Sequence, residues 1–461
     1  MQRIFTILLF IGVAFPAFSQ QEATLYSMSS LPQVSYVNPA IQPQYKFSLG
    51  LPGSSVYVQY ANNGFKYSDF ATKQGDTVVG DLNKLYGSLK KKNYLTQAVQ
   101  ADLFRFSMKV NARMYFTWNI TAKSYMRQML PQELFGIIAN GTSPLVNSTT
   151  NISPQVEGMA YLESGWGASY IVNRKLTVGA RVKLLKGMLN ATTTRSSMNL
   201  TVDNDYNVNA VADVQLKTSG LYQLDEDDNF DMGDDWDVYK KNTGFAFDLG
   251  ATYKLMDDRL IVGASMLDIG GITWKNDTYN YRLDPATAHV SFKGINLQQV
   301  LNGEDDYFNE VSDSIDANFE FEKGHIGSYR TPLPKKFYLS GTYMLKKTLS
   351  VGLLLYAEQF RGRFTPSMSA SVHKEFGRRL STSLSYTITN ASYNNLGAGI
   401  SLNFAPIQFY VVGDNLLGAP IALAANGEIN SYLNNAQFVN LRAGLNFVFG
   451  WDKTNEKTPH P

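Results

Sequence analysis

Few residues in this chain have the type and spacing that chemistry demands. The densest acidic stretch runs from Asp225 to Asp237. Within it, oxygen ligands at alternate positions, Asp225, Asp227 and Asp231, would suit calcium. Phe230 stands where such a loop needs glycine, and Trp236 where it needs a bidentate glutamate. The stretch therefore reads as a solvated loop, able at most to bridge divalent cations to nearby phosphates. His289, His325, His373 and His460 are the histidines. His373 shares a strand face with Ser369 and Ser371, but no third group orients it as nucleophilic catalysis requires. Cysteine is absent, which excludes disulfides, thiolate metal sites and a lipid-anchored cysteine. No pattern calls for a cofactor, and enzyme activity is not expected. The net charge of +2 gives no electrostatic footprint for nucleic acid.

A second set of charges sits on alternating runs: Arg105, Lys109, Arg181, Lys183, Asp248, Lys254 and Arg442. These runs organise the chain. A strand–turn–strand unit recurs at 170–179, 253–263 and 343–352, with a looser copy at 372–383. Each is an apolar-alternating run, a short charged turn, then another alternating run, which is the signal of a β-hairpin. Leu176, Val178, Ala180, Val182 and Leu184 share one face; Thr177, Gly179, Arg181 and Lys183 share the other. The same pattern covers 380–388, 396–404 and 439–449. Aromatic residues make up 13% of the chain and charged residues only 17%. The polar face is mostly small residues, and the strands are 9–13 residues long, which fits a wall with lipid on one side and a wet lumen on the other.

The expected fold is therefore all-β: a transmembrane antiparallel barrel of about 14 strands, or 16 if the polar hairpin at 193–216 belongs to the wall. Short turns at 173–175, 256–258, 346–347, 377–379 and 404–406 fall on one end. Long connections at 61–102, 122–157, 217–243, 276–334 and 416–437 fall on the other. That asymmetry puts the short turns and both chain ends in the periplasm and the protein in the bacterial outer membrane. Arg3, the apolar run to Phe18 and the small residues Ala17 and Ser19 read as a signal peptide over 1–19. Residues 20–45, broken by Pro32, Pro39 and Pro43, form a loop-like plug segment; the barrel spans 46–450 and a periplasmic tail 451–461. Short helices are expected at 81–91, 131–141 and 296–302, and the lysines at 90–92 in solvent. Tyr170, Trp274, Tyr343, Tyr356 and Trp451 would form an aromatic girdle.

Asn38-Pro39-Ala40 resembles the hatch motif of long-chain fatty-acid-transporter-like barrels. Leu267-Asp268-Ile269-Gly270-Gly271-Ile272-Thr273-Trp274 and Phe409-Tyr410-Val411-Val412-Gly413-Asp414-Asn415-Leu416-Leu417 resemble motifs of a Bacteroidota outer-membrane barrel family of unknown function. That family is similar in style to those transporters and to the barrel subunits of type IX secretion and gliding machinery. The resemblance implies a plugged barrel and passive passage of hydrophobic or amphipathic small molecules. The alternative is a non-transporting barrel whose outer loops dock exported proteins or a lipoprotein. A soluble secreted β-protein is the remaining reading. The lumen charges would either interlock and seal the barrel or set selectivity. Expected partners are outer-membrane lipids with lipopolysaccharide and the barrel-assembly machinery, whose recognition here must tolerate a tail after Phe449.

Overall fold

Side-chain alternation decides the architecture: outward residues are apolar and exposed, inward ones polar and buried. Leu339, Leu353, Leu355, Leu384, Ile400 and Val411 lie on the outer surface, while Ser369, Ser383, Thr387 and Asn446 are buried inside. The computed structural model describes residues 22–64, 71–74, 77–220, 241–293, 318–389, 392–416 and 438–451. Fourteen antiparallel strands close into a barrel. Strand β1 comprises Tyr45–Gly50 and Val56–Asn62, followed by β2 (Lys92–Lys109), β3 (Met114–Pro131), β4 (Gln155–Ile171) and β5 (Leu176–Val202). Next come β6 (Thr243–Leu255), β7 (Leu260–Trp274), β8 (Lys335–Lys346), β9 (Leu349–Phe360) and β10 (Arg363–Phe376). The wall ends with β11 (Leu380–Thr389), β12 (Ser392–Phe404), β13 (Ile407–Asp414) and β14 (Phe438–Trp451), which pairs with β1.

The two ends differ as expected from the connection lengths. Tyr45, Trp451 and the short turns share one end. The long connections share the other, joined there by the tight turn Arg361-Gly362, whose positive φ angles (48° and 75°) match the twist of a two-residue hairpin. The polar hairpin does stand outside the wall. Beyond Lys186, β5 leaves β6 and pairs with Asn207–Ser219, whose other edge pairs with Thr278–Leu283 and His289–Lys293. The hairpin is not, as the sequence suggested, polar on both faces: Leu200, Val202 and Val208 on one face form a separate small core with Leu145, Val146 and Ile152, and Ala212 a second with Met198, Val214 and Leu283, while Ser197, Asn199 and Thr201 lie on the other.

Several expectations need correction. Residues 92–101 and 122–131, expected in loops, are wall. Their outward face carries Gln97, Ser124 and Gln128, so apolar alternation fades while the ladder continues. Helices form at Leu82–Ser88 and Gln132–Asn140, within the expected 81–91 and 131–141. Trp274 and Tyr356 do not join a girdle: both are buried inside. A bulge opposes Asp248 alone to Leu267 and Asp268, with Asp268 at a φ of 59°. One inserted residue inverts the faces of the rest of β7, turning Trp274 inward. Tyr356 simply alternates with the outward Leu353 and Leu355. Tyr170 and Tyr343 do face outward; Trp451 packs edge-on against Tyr45 at 5.3 Å. Strand β1 is kinked: the six steps from Gly50 to Val56 face only four on β2, from Arg105 to Ala101. Hydrogen bonds from Gly53 N to Asp102 O (3.0 Å) and Leu445 N to Ser54 O (3.1 Å) bridge the gap. The acidic stretch with Asp225, Asp227 and Asp231, the expected helix at 296–302 and most of the tail lie outside the described residues.

Replacing residues 195–214 by a two-residue Asn-Gly turn is expected to leave the barrel folded. Heat-modifiable gel migration checks this; loss of the folded band would place the hairpin in the wall.

Candidate functional site: the plugged lumen

The segment after Glu22 lies inside the barrel. Helix α1 (Ala23–Ser27) leads into a string of tight turns, including Pro32–Tyr36. Leu25, Met28, Leu31, Val34 and Val37 are each 0% exposed. The same residues form a chain of three-residue turns, each N–H donating to the previous member's carbonyl at 3.0–3.1 Å. The spacing is three residues throughout, although only Pro32–Tyr36 is a 3₁₀ helix. The stripe packs on Leu267, Tyr338, Leu354, Tyr356, Tyr410 and Val412 of the wall. The prolines masked that period, so the segment looked loop-like.

A second stripe with the same period is polar. Thr24 Oγ1 and Ser385 Oγ are 2.6 Å apart, Ser27 Oγ and Ser383 Oγ 2.5 Å, and Ser30 Oγ and Ser381 Oγ 3.0 Å. Gln33 continues the series by exchanging two hydrogen bonds with Asn446 (2.7 and 3.1 Å). The hydroxyl contacts thus advance three residues along the plug for every two along β11. Asp414, from the second sequence motif, fastens the start of the plug. Its Oδ1 accepts from Thr24 Oγ1 (2.5 Å) and Thr24 N (3.1 Å). Beside it, Glu22 meets Arg442 at 2.5 Å.

The Asn38-Pro39-Ala40 motif closes the plug. Asn38 Oδ1 accepts from Ala40 N (2.9 Å), and its Nδ2 donates to Tyr26 OH (3.0 Å). Ser265 Oγ donates to Val37 O at 2.6 Å. Gly179 and Gly250, paired across β5 and β6, supply the seat. A methyl group at Gly179 would overlap the Pro39 carbonyl, and one at Gly250 the Asn38 side chain.

Above the plug lies a belt of buried charge. Lys183 Nζ contacts Asp268 (2.5 Å) and Asp248 (2.7 Å). Arg181 reaches Asp248 (3.3 Å) and Glu163 (3.5 Å), Lys123 reaches Glu163 (2.6 Å), and Lys336 reaches Asp268 (3.4 Å). Plug residue Tyr36 donates to Asp102 (2.8 Å). The guanidinium carbons of Arg105, Arg181 and Arg442 lie 4.4, 5.2 and 5.5 Å from the centre of its ring, a cation–π arrangement that desolvation strengthens. The structure thus brings together Arg105, Arg181, Lys183, Asp248 and Arg442. Lys109 and Lys254 stay at the short-turn rim, half-buried, with Lys254 on Asp258 at 3.5 Å. Sequence reasoning missed Glu163, Lys123, Lys336, Asp102, Glu22 and Tyr36. It also passed over the carboxylates of Asp268 and Asp414, though both stood in quoted motifs. His373 lies 3.7 Å from Glu375, while Ser369 donates to the Tyr386 carbonyl (3.3 Å), so no serine–histidine pair forms.

Toward the long-loop mouth, an aromatic tier with Tyr57, Tyr125, Tyr161 and Trp274 covers the belt. Successive inward positions on β3, Lys123, Tyr125, Arg127 and Met129, mark the ascent. A cleft of about 620 Å³ opens at the top, lined by Tyr94, Met129 and Phe360 and by Lys90, Arg127, Arg361 and Arg363. Lys91 and Lys92 are exposed, as expected, but they stand on the cleft's rim.

Buried ion pairs gain little net stability, yet removing one partner strands the other. Lys183→Met is expected to cost about 3–5 kcal/mol, because Asp248 and Asp268 lose their shared cation. Lys254→Met, at the exposed rim, is expected to cost under about 1 kcal/mol. Denaturant unfolding in detergent compares them; equal effects would mean the belt is solvated.

No curated protein sequence matches the chain. Among solved structures it is similar to the Pseudomonas putida toluene transporter TodX (10% identity, 94% of this chain and 95% of that one, TM-score 0.40). It is also similar to the Ralstonia pickettii toluene transporter TbuX (10% identity, 91% and 94%, TM-score 0.42). A Pseudomonas aeruginosa FadL homologue gives 11% identity, 93% and 96% coverage and a TM-score of 0.40. A family model matches residues 39–414, from the second residue of the plug motif to the aspartate that fastens the plug, and the chain belongs to that family, a family of unknown function designated DUF5723.

Proposed function

We propose that this protein is a gated passive channel of the outer membrane that admits hydrophobic or amphipathic small molecules, with residues 22–44 as the gate. The observation that carries the reading is the stack from mouth to plug: a partly apolar, cation-rimmed cleft stands over a lumen closed by a segment that is tethered to β1 and otherwise seated by non-covalent contacts. Magnitudes favour displacement. Each three-residue repeat of the plug buries one apolar side chain, worth about 1.5–3 kcal/mol, and makes about one net hydrogen bond of roughly 0.5–1.5 kcal/mol. Ordering three residues costs about 3–6 kcal/mol. The plug is therefore held with little surplus, and a ligand in the lumen can shift it.

In this reading the short-turn end, with Tyr45 and Trp451, faces the periplasm and the cleft faces outside. The apolar wall meets outer-membrane lipid and, in the outer leaflet, lipopolysaccharide; the barrel-assembly machinery inserts it. The Asp414–Thr24 contact is the latch. Asp414→Asn and Thr24→Val each weaken a hydrogen bond to a charged group, worth about 1.5–3 kcal/mol. Uptake of a fluorescent amphiphile into proteoliposomes is expected to rise about tenfold or more, since 1.4 kcal/mol is a factor of ten. Wild type and both variants matching protein-free vesicles, with the barrel folded, would sink the channel reading.

A further inference from the structure

The short-turn end of the barrel is ringed with exposed cations. Six hairpin turns lie there, and five of them carry at least one. Arg174 and Lys175 stand at the turn from β4 to β5, Lys346 and Lys347 at that from β8 to β9, and Arg378 and Arg379 at that from β10 to β11; all six are exposed. Arg113 and Arg259, also exposed, stand singly at the turns from β2 to β3 and from β6 to β7. Ala405-Pro406, from β12 to β13, has none. Against these eight cations the same turns hold two carboxylates, Asp257 and Asp258, and Asp258 already contacts Lys254 at 3.5 Å. Among the described residues, no carboxylate lies within ion-pair distance of Arg113, Arg174, Lys175, Arg259, Lys346 or Lys347. The whole chain is nearly balanced, at 41 cations and 39 carboxylates, so the ring is a segregation of charge and not a reflection of composition.

The ring sits at a defined height. Tyr170, Tyr253, Tyr343, Phe376 and Phe404 face outward, 37–59% exposed, and each is within four residues of a short turn. Outward aromatic rings collect where hydrocarbon gives way to headgroups. The cations lie just beyond them, at the level of lipid phosphates, where long basic side chains extend their charged ends into the polar layer. The five turns follow one another around most of the barrel. A folded partner would touch one arc of such a ring, whereas a layer of anionic headgroups matches both its level and its spread. Resting on the outer-membrane reading, in which the short turns face the periplasm, we infer that this rim binds anionic phospholipid of the inner leaflet, with a headgroup phosphate shared by the two cations of a turn. The ring then anchors the end at which the plug leaves the lumen, where Gln42 donates to the Arg113 carbonyl at 3.2 Å.

The test uses the full-length protein in a maltoside detergent and two phospholipids with the same acyl chains, anionic phosphatidylglycerol and zwitterionic phosphatidylcholine. Native mass spectrometry reads what is retained from an equimolar mixture. Phosphatidylglycerol is expected to be preferred at least about tenfold, a margin that two basic residues per headgroup supply. Raising the ionic strength from about 0.1 M to about 1 M shortens the screening length from about 10 Å to about 3 Å and is expected to shrink the preference. Converting Arg174, Lys175, Lys346, Lys347, Arg378 and Arg379 together to Gln is expected to abolish it while the barrel still migrates as folded, since all six are exposed. Neutralising Lys275, Lys323 and Arg330, exposed at the long-connection end, is expected to leave it unchanged. Equal retention of the two lipids by the wild type, a preference that survives in the six-residue variant, or an equal loss in the long-connection variant would overturn the lipid ring. Labelling of Lys347→Cys by a membrane-impermeant maleimide on intact cells would instead put the rim outside, overturning the inner-leaflet assignment through the orientation on which it rests. Uptake by a protein without lipid preference would retain the channel and remove the ring.

Discussion

A three-residue repeat laid against a two-residue repeat holds this molecule closed. Plug residues Thr24, Ser27 and Ser30 descend one turn at a time while Ser385, Ser383 and Ser381 descend two strand positions at a time. Three successive hydroxyl pairs form along this column. Gln33 then hands over to Asn446 on another strand. The other stripe of the same turns buries Leu25 through Val37 against wall tyrosines and leucines.

The charge belt answers a different requirement. Desolvating Lys183, Asp248, Asp268 and Glu163 costs nearly as much as their mutual attraction returns. Their placement is therefore explained by specificity and by the plug rather than by stability. Three guanidinium groups from separate strands converge on the Tyr36 ring, which ties the second half of the plug to the belt. The bulge in β7 makes this possible: it turns Asp268 inward beside Lys183 and then inverts the strand so that Trp274 covers the belt from above.

The wall was legible because alternation with period two is imposed by lipid on one side. On β2 over residues 92–101 and β3 over 122–131 the outward face mixes Gln97, Ser124 and Gln128 with Val99, so the strands became invisible while their backbone ladder ran on. The lumen charges were legible as a set, Arg181 and Lys183 being out of phase with an apolar face, but their partners were not. Glu163, Lys123 and Lys336 lie on other strands, and only closure of the barrel brings them within reach. The plug's pattern was present in the sequence at 25, 28, 31, 34 and 37, hidden among prolines.

Sequence by itself determined that the chain forms hairpins with one lipid-compatible face, which end carries the long connections, and that a proline-broken segment precedes the wall. These are local properties: each follows from neighbours two or three residues apart. Tertiary structure decided the strand number, because only pairing shows that Asn207–Ser219 stacks above the wall instead of joining it. It decided the faces of β7, because a bulge is a mismatch between two strands. It also decided what the lumen contains, since Thr24 and Asp414 are 390 positions apart in the chain and meet because β14 closes on β1.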